Sequence, residues 1–353
     1  MRQFVLLLYF CSCFAKMTSQ GLVLINPHVP EGQYYMGCRA QESGNDSIAV
    51  EWWRKAAQKG YVNAQNKLAS AFRYGDGVVQ NNDSAVYWWS MAAKMNDHEA
   101  EMNLGNCYAF GFGVLEDDSM AVRLFEKSAV VPEFMYALGQ RYYFGDGIHR
   151  DFAKAVFWYE KAADNGLASP AYNLGCMYYG GKGVNQDYKL AVKWWEKAAK
   201  LGDVEAIYNL GFCYKDGTGV KMNIKKAVKY WEKAFNEKHV EAGLNLGFCY
   251  YYGEGKKRDY KKAIRFFEFA ANNNNAMAYY CLGVMLINGE GCKKNVPAGV
   301  KLIQIAADMG EQQAIQAMNL IKVDQHQNGN NEMPDANLTP STPNNSSTIN
   351  DEH

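Results

Sequence analysis

The sequence has no net charge, with Lys plus Arg and Asp plus Glu at 37 each. Without a basic excess there is no field to gather nucleic acid or an anionic membrane, so neither is expected as a partner. It also has no apolar stretch long enough to cross a bilayer. The run from Phe4 to Ala15 falls short of the roughly 20 residues a spanning helix needs. The six His are scattered, and none stands with Cys at a zinc-binding spacing. There is no Ser-x-x-Lys, no Lys-Thr-Gly and no His-Glu-x-x-His, the pieces a serine β-lactamase or a metallohydrolase uses. No catalytic residue, metal ligand or cofactor site is therefore assigned.

What the chain does have is repetition. A pair of large residues recurs as Trp52-Trp53, Trp88-Trp89, Leu124-Phe125, Trp158-Tyr159, Trp194-Trp195, Tyr230-Trp231, Phe266-Phe267 and Leu302-Ile303, always 36 residues apart except for one interval of 34. A unit of that length makes two short helices and cannot bury its apolar face alone, which predicts an all-α, α/α solenoid of two-helix repeats. In residues 203–238, Ala206, Leu210 and Tyr214 line one face of a first helix, A. Ala227, Tyr230, Trp231 and Ala234 line a second, B. Gly211 and Ala227 are small where the partner's bulky ring must fit.

The punctuation repeats too. Gly pairs such as Gly75/Gly77, Gly217/Gly219 and Gly289/Gly291 close helix A seven times, as a positive-φ turn requires. Asn45, Asn81, Asp117, Asp151, Asp187, Asn223, Asp259 and Asn295 stand where helix B needs an N-cap. The two residues missing from the short interval lie between Phe125 and Tyr136, where Pro132 marks a tightened turn and a bend is expected.

Met1-Arg2-Gln3 followed by the apolar run reads as a signal peptide, residues 1–15, with cleavage as late as 19. An N-terminal extension follows at 16–33. The solenoid spans 34–323: a degenerate first repeat at 34–60, full repeats at 61–310 and a closing helix at 311–323. Residues 324–353, rich in Asn, Ser, Thr and Pro, read as a disordered tail. Of the nine Cys, seven remain after cleavage, an odd number that leaves at least one free thiol or an intermolecular bridge in an oxidising compartment. Cys213 and Cys249 sit one repeat apart, too far to bridge. Cys281 and Cys292 are left open as a local bridge.

The cleanest copy is Ala171-Tyr172-Asn173-Leu174-Gly175-Cys176-Met177-Tyr178, then Gly181-Lys182-Gly183-Val184, Asp187, Leu190-Ala191 and Trp194-Trp195-Glu196-Lys197-Ala198-Ala199. It resembles the Sel-1-like repeat, a relative of the tetratricopeptide repeat, over residues 34–323. The resemblance implies a right-handed superhelix acting as a scaffold or adaptor for other proteins. Secreted bacterial members resemble factors that meet host cells. Eukaryotic members serve in endoplasmic-reticulum quality control. Cysteine-rich bacterial relatives are linked to penicillin binding and weak β-lactamase activity, but this chain lacks their regular pair of Cys in each repeat.

By analogy with tetratricopeptide stacks, one stripe of helix A faces a concave groove. It selects Tyr136, Tyr143, Tyr172, Tyr179, Tyr208, Phe212, Phe248, Tyr251 and Tyr280 as a protein- or peptide-binding strip. The competing reading packs these rings against helix A of the next repeat. Asn103, Asn173, Asn209 and Asn245 form a parallel row that either bonds a bound peptide or buttresses successive repeats. The expected protein is a monomeric exported scaffold, secreted or periplasmic, or in the endoplasmic-reticulum lumen of a eukaryote, touching membrane only through its signal. The alternatives are a β-lactamase-like hydrolase and a structural envelope protein.

Overall fold

The computed structural model describes residues 14–18, 21–328 and 338–340. The expected signal peptide lies outside the described residues up to Cys13. From there Phe14–Thr18 (β1) pairs antiparallel with Gly21–Ile25 (β2), Phe14 opposite Ile25 and Thr18 opposite Gly21.

Seventeen helices follow among the described residues. In the first unit, residues 1–165, they are α1 Pro30–Glu42, α2 Asp46–Gln58, α3 Val62–Tyr74, α4 Asn82–Ala93, α5 His98–Phe110, α6 Asp118–Ser128, α7 Pro132–Phe144 and α8 Phe152–Asp164. The second unit, residues 166–353, holds α9 Ala168–Gly180, α10 Tyr188–Lys200, α11 Val204–Asp216, α12 Ile224–Asn236, α13 Val240–Tyr252, α14 Tyr260–Asn272, α15 Ala276–Asn288, α16 Val296–Asp308 and α17 Gln312–Asn328. Odd numbers are A helices, even numbers B helices, and α17 closes the series.

Helix pairing follows the large-beside-small rule. The second residue of each large pair, from Trp53 to Ile303, is at most 3% exposed. It lies over the small residue of helix A, so that a Cβ added to Gly211 would fall 2.1 Å from Trp231 Nε1, and one on Gly175 2.3 Å from Trp195 Cδ1. The A helices end as predicted. Gly217 adopts φ +77 and accommodates the left-handed cap, and a Cβ on Gly219 would meet the Tyr188 carbonyl at 2.2 Å.

Seven of the eight expected B-helix caps accept a backbone N–H, Asp187 from both Lys189 and Leu190. Asn45 does not: its side chain donates instead to the Ser43 carbonyl. The first A helix begins at Pro30, four residues before the expected Tyr34, with the proline supplying its helical φ at the start. The two-residue deficit comes out of α6, which has 11 residues where most B helices have 13. The closing helix runs past Val323 to Asn328. All seven described Cys are free thiols. Cys281 is buried, and the Cys292 thiol points to the Met285 carbonyl at 3.7 Å instead.

A candidate protein-binding surface

The aromatic stripe is not an open groove. Tyr172, Tyr208, Phe212, Phe248, Tyr251 and Tyr280 are between 3% and 8% exposed. The Tyr208 ring stacks on His239, which caps α13, at 4.3 Å. It also meets Phe212 edge-on at 5.0 Å, and Phe212 packs on Trp231. Phe248 packs on Phe267, and the Tyr251 hydroxyl donates to Glu290 Oε2 at 2.9 Å. Burial pushes the hydroxyls of Tyr172, Tyr208 and Tyr251 well above their ordinary range and that of Tyr280 up to about 12. Tyr136, Tyr143 and Tyr179 are half-buried, on Tyr159, on Phe144 and Phe152, and on Tyr188 and Trp195. Tyr208 and Tyr251 close the seam with the next repeat, whereas Tyr136, Tyr143, Tyr179, Phe212 and Phe248 pack on the B helix of their own repeat.

Of the Asn row, Asn209 and Asn245 are buried with them, while Asn103 and Asn173 are half-buried. The side-chain amides of Asn209 and Asn245 lie beside the hydroxyls of Tyr172 and Tyr208. Both Nδ2 atoms are nonetheless buried without a hydrogen-bond partner.

The first unit presents different chemistry at the matching positions. Here Asn66, Ser70 and Arg73 on α3, Asn106 on α5 and Gln140 on α7 replace much of the aromatic row, Lys67 and Asn103 stand in the Asn row, and Arg141 on α7 stands where Cys213 and Cys249 are in the second unit. Asn66 donates to Asp97, the cap of α5, at 2.8 Å, the seam contact that Tyr208 makes with a ring. A recess of about 430 Å³ opens beside Asn66, Lys67 and Ser70, bordered by Asp76 and Glu99. A narrower one of about 160 Å³ is lined by Arg73, Tyr74, Asn103, Asn106, Phe110 and Arg141, with no carboxylate among its walls.

The residue just before each Gly pair stands at the rim of this surface. Tyr74 is 69% exposed, Phe110 37% and Phe144 54%. The Arg73 guanidinium lies 3.8 Å over the Phe112 ring, and that of Arg141 lies 4.3 Å over Phe125. Arg141 also donates to Asn106 Oδ1 and to the Asp146 carbonyl. Burial lowers its affinity for its proton, an effect the nearby Asp146 opposes. The aromatic and basic rim went unread in the sequence, although Tyr74, Phe110 and Phe144 recur at the repeat interval.

Another unforeseen feature of this unit is Glu101 on α5, fully buried, with His98 Nδ1 at 2.9 Å and Lys127 Nζ at 2.5 Å. The Lys127 ammonium and the His98 ring, both with access to solvent, hold a carboxylate where Ile207 stands in the template repeat.

Among the described residues no group of three or more His, Cys, Asp or Glu is placed to hold a metal ion. No described helix is long and apolar enough to cross a membrane. The fold defines an α/α solenoid of two-helix repeats, whose surfaces offer rows of like groups. The Sel1 repeat pattern matches residues 30–61, 62–97, 98–129, 132–167, 171–203, 204–239, 240–275 and 276–311, and the chain belongs to the Sel1 repeat family. Proteins of this family generally mediate protein–protein interaction.

Among solved structures it is similar to c5321, a protective antigen present in uropathogenic Escherichia coli strains displaying an SLR fold. The two are 28% identical with a TM-score of 0.69 over 84% of this chain, which spans 65% of the antigen's length. It is also similar to a Sel1 repeat protein from Oxalobacter formigenes, 28% identical, TM-score 0.65, over 82% of this chain and 86% of that one. No curated protein matches the sequence.

Proposed function

We propose that this chain is an exported, monomeric scaffold that takes a protein partner on the A-helix face of its first unit. The observation that carries the reading is the row of exposed aromatics, Tyr74, Phe110 and Phe144, set beside Arg73 and Arg141. Aromatic and arginine side chains together make the anchors on which protein interfaces concentrate their binding energy. The likeness to a bacterial protective antigen supports a role outside the cell or at its surface, and the charged start followed by the apolar run to Ala15 supports export. Cleavage at Ala15 would cut β1, and cleavage near residue 19 would remove it, leaving β2 without its partner strand.

The test is capture by the purified chain, with and without Arg73→Ala, Tyr74→Ala and Phe110→Ala combined. The triple variant should lose the captured partner while keeping the parent's helicity and melting temperature. Tyr208→Ala should do the opposite, melting early by about 3–5 kcal/mol of lost core while still binding. Undiminished capture by the triple variant would refute the assignment of this face.

A further inference from the structure

One part of the expected disordered tail has a fixed place. Leu338 is 9% exposed and joins the apolar cluster that holds Val284, Ile287, Ala314, Met318 and Ile321. Its backbone oxygen accepts a hydrogen bond from Asn288 Nδ2, on the last residue of α15, at 3.2 Å. Asn288 occupies the position before the Gly pair, the place of Tyr74, Phe110 and Phe144 in the first unit. Its amide also lies 3.5 Å from Glu290 Oε2, the oxygen that accepts from Tyr251. Glu290, itself held by the Tyr251 hydroxyl, thus lies beside the amide nitrogen of Asn288, which has a second N–H to give to a main-chain carbonyl.

Pro340 is buried as well, while Thr339 between them is exposed. A proline restrains the residue before it to extended backbone and brings no N–H that would need a partner. Thr339 is therefore held towards extended backbone, and the residues on either side of it are buried, as alternate residues of a short linear ligand are.

We propose that the end of α15 is a binding site for linear segments of the pattern aliphatic, polar, proline, and that Leu338-Thr339-Pro340 is its resident and exchangeable occupant. The site reads one aliphatic side chain and the carbonyl of the same residue. Among the described residues the contact is made by three residues and one hydrogen bond, and nine residues of sequence separate Leu338 from Asn328, so the segment competes with outside ligands at an effective concentration on the order of millimolar. This proposal is independent of the partner surface assigned to the first unit.

The experiment uses the full chain and a fluorescent peptide spanning Pro334 to Asn345, followed by anisotropy. Leu338→Asp and the milder Leu338→Ala empty the site, so both variants should bind the peptide about tenfold or more tightly than the parent. Adding Asn288→Ala to Leu338→Asp should remove most of that gain, and a peptide carrying Leu338→Asp should not bind. Equal binding by parent and both Leu338 variants, or a gain that Asn288→Ala leaves untouched, would overturn the proposal. So would early melting of both Leu338 variants with no gain in peptide binding, which would make the segment a permanent part of the core.

Discussion

At Gly211 the added methyl of an alanine would need the Trp231 indole to give way, since its pyrrole edge lies 2.1–2.7 Å from where the Cβ would stand. The chain contains its own measure of that cost. In the second repeat Ala69 holds the same place beneath Trp89, and both are buried, so a small shift of the helices accommodates one methyl. Gly211→Ala should therefore lose about 1 kcal/mol, at the low end of the range for overpacking, and Gly211→Leu several times more, read as shifts in the urea midpoint. Trp53, Trp89, Trp195 and Trp231 also bury their indole N–H without a hydrogen-bond partner. The phenyl rings of Phe125 and Phe267 fill the same place with no donor to satisfy.

The elements were the most legible level. Their ends are written in residues whose chemistry is local: an Asx side chain reaching its own helix, or a glycine reversing φ. Seven B-helix caps and the seven left-handed turns needed no knowledge of the neighbouring repeat. Asp187→Ala should lower stability by about 1 kcal/mol, whereas Asn45→Ala should be close to neutral because Asn45 accepts nothing from α2. Thermal melts of the two variants would separate the cases. The A-helix caps escaped notice because they are irregular: Asp97, Asp203 and Asn275 cap with an oxygen, but His239 accepts from Ala242 through Nδ1 at 3.2 Å while Nε2 faces Glu205. The short α6 was located by counting, yet sequence alone pointed to the turn at Pro132, when the half-turn was lost from the helix before it.

For the whole molecule, repeat and fold class were readable from spacing, but the binding surface was not. Tyr208 and Tyr74 are both tyrosines on A helices, at 5% and 69% exposure. What separates them is register, Tyr208 two residues before the Leu of its helix and Tyr74 six after, and spacing alone does not say which of the two registers is covered. Burial also sets a response to pH shared among several repeats. It raises the thiol of Cys107 from the ordinary 9.0 to about 11, and those of Cys213 and Cys249 to about 12. Above pH 9 the unfolded chain loses these protons while the folded chain keeps them. Stability should therefore fall as pH rises from about 9 towards 12, and be insensitive to these groups below that window. Melting temperatures across the alkaline range check the sign, and Cys213→Ala with Cys249→Ala should flatten the slope.

The seams of the second unit join like to like. Asn209 approaches the hydroxyl of Tyr172, and Asn245 approaches that of Tyr208 in the same way. Excising residues 204–239, one complete match to the repeat pattern, would set Tyr172 opposite Asn245 and re-create the junction that was cut. Copy number is thus a variable that recombination can change without inventing a new joint, and such a protein can grow or shrink in evolution by whole modules.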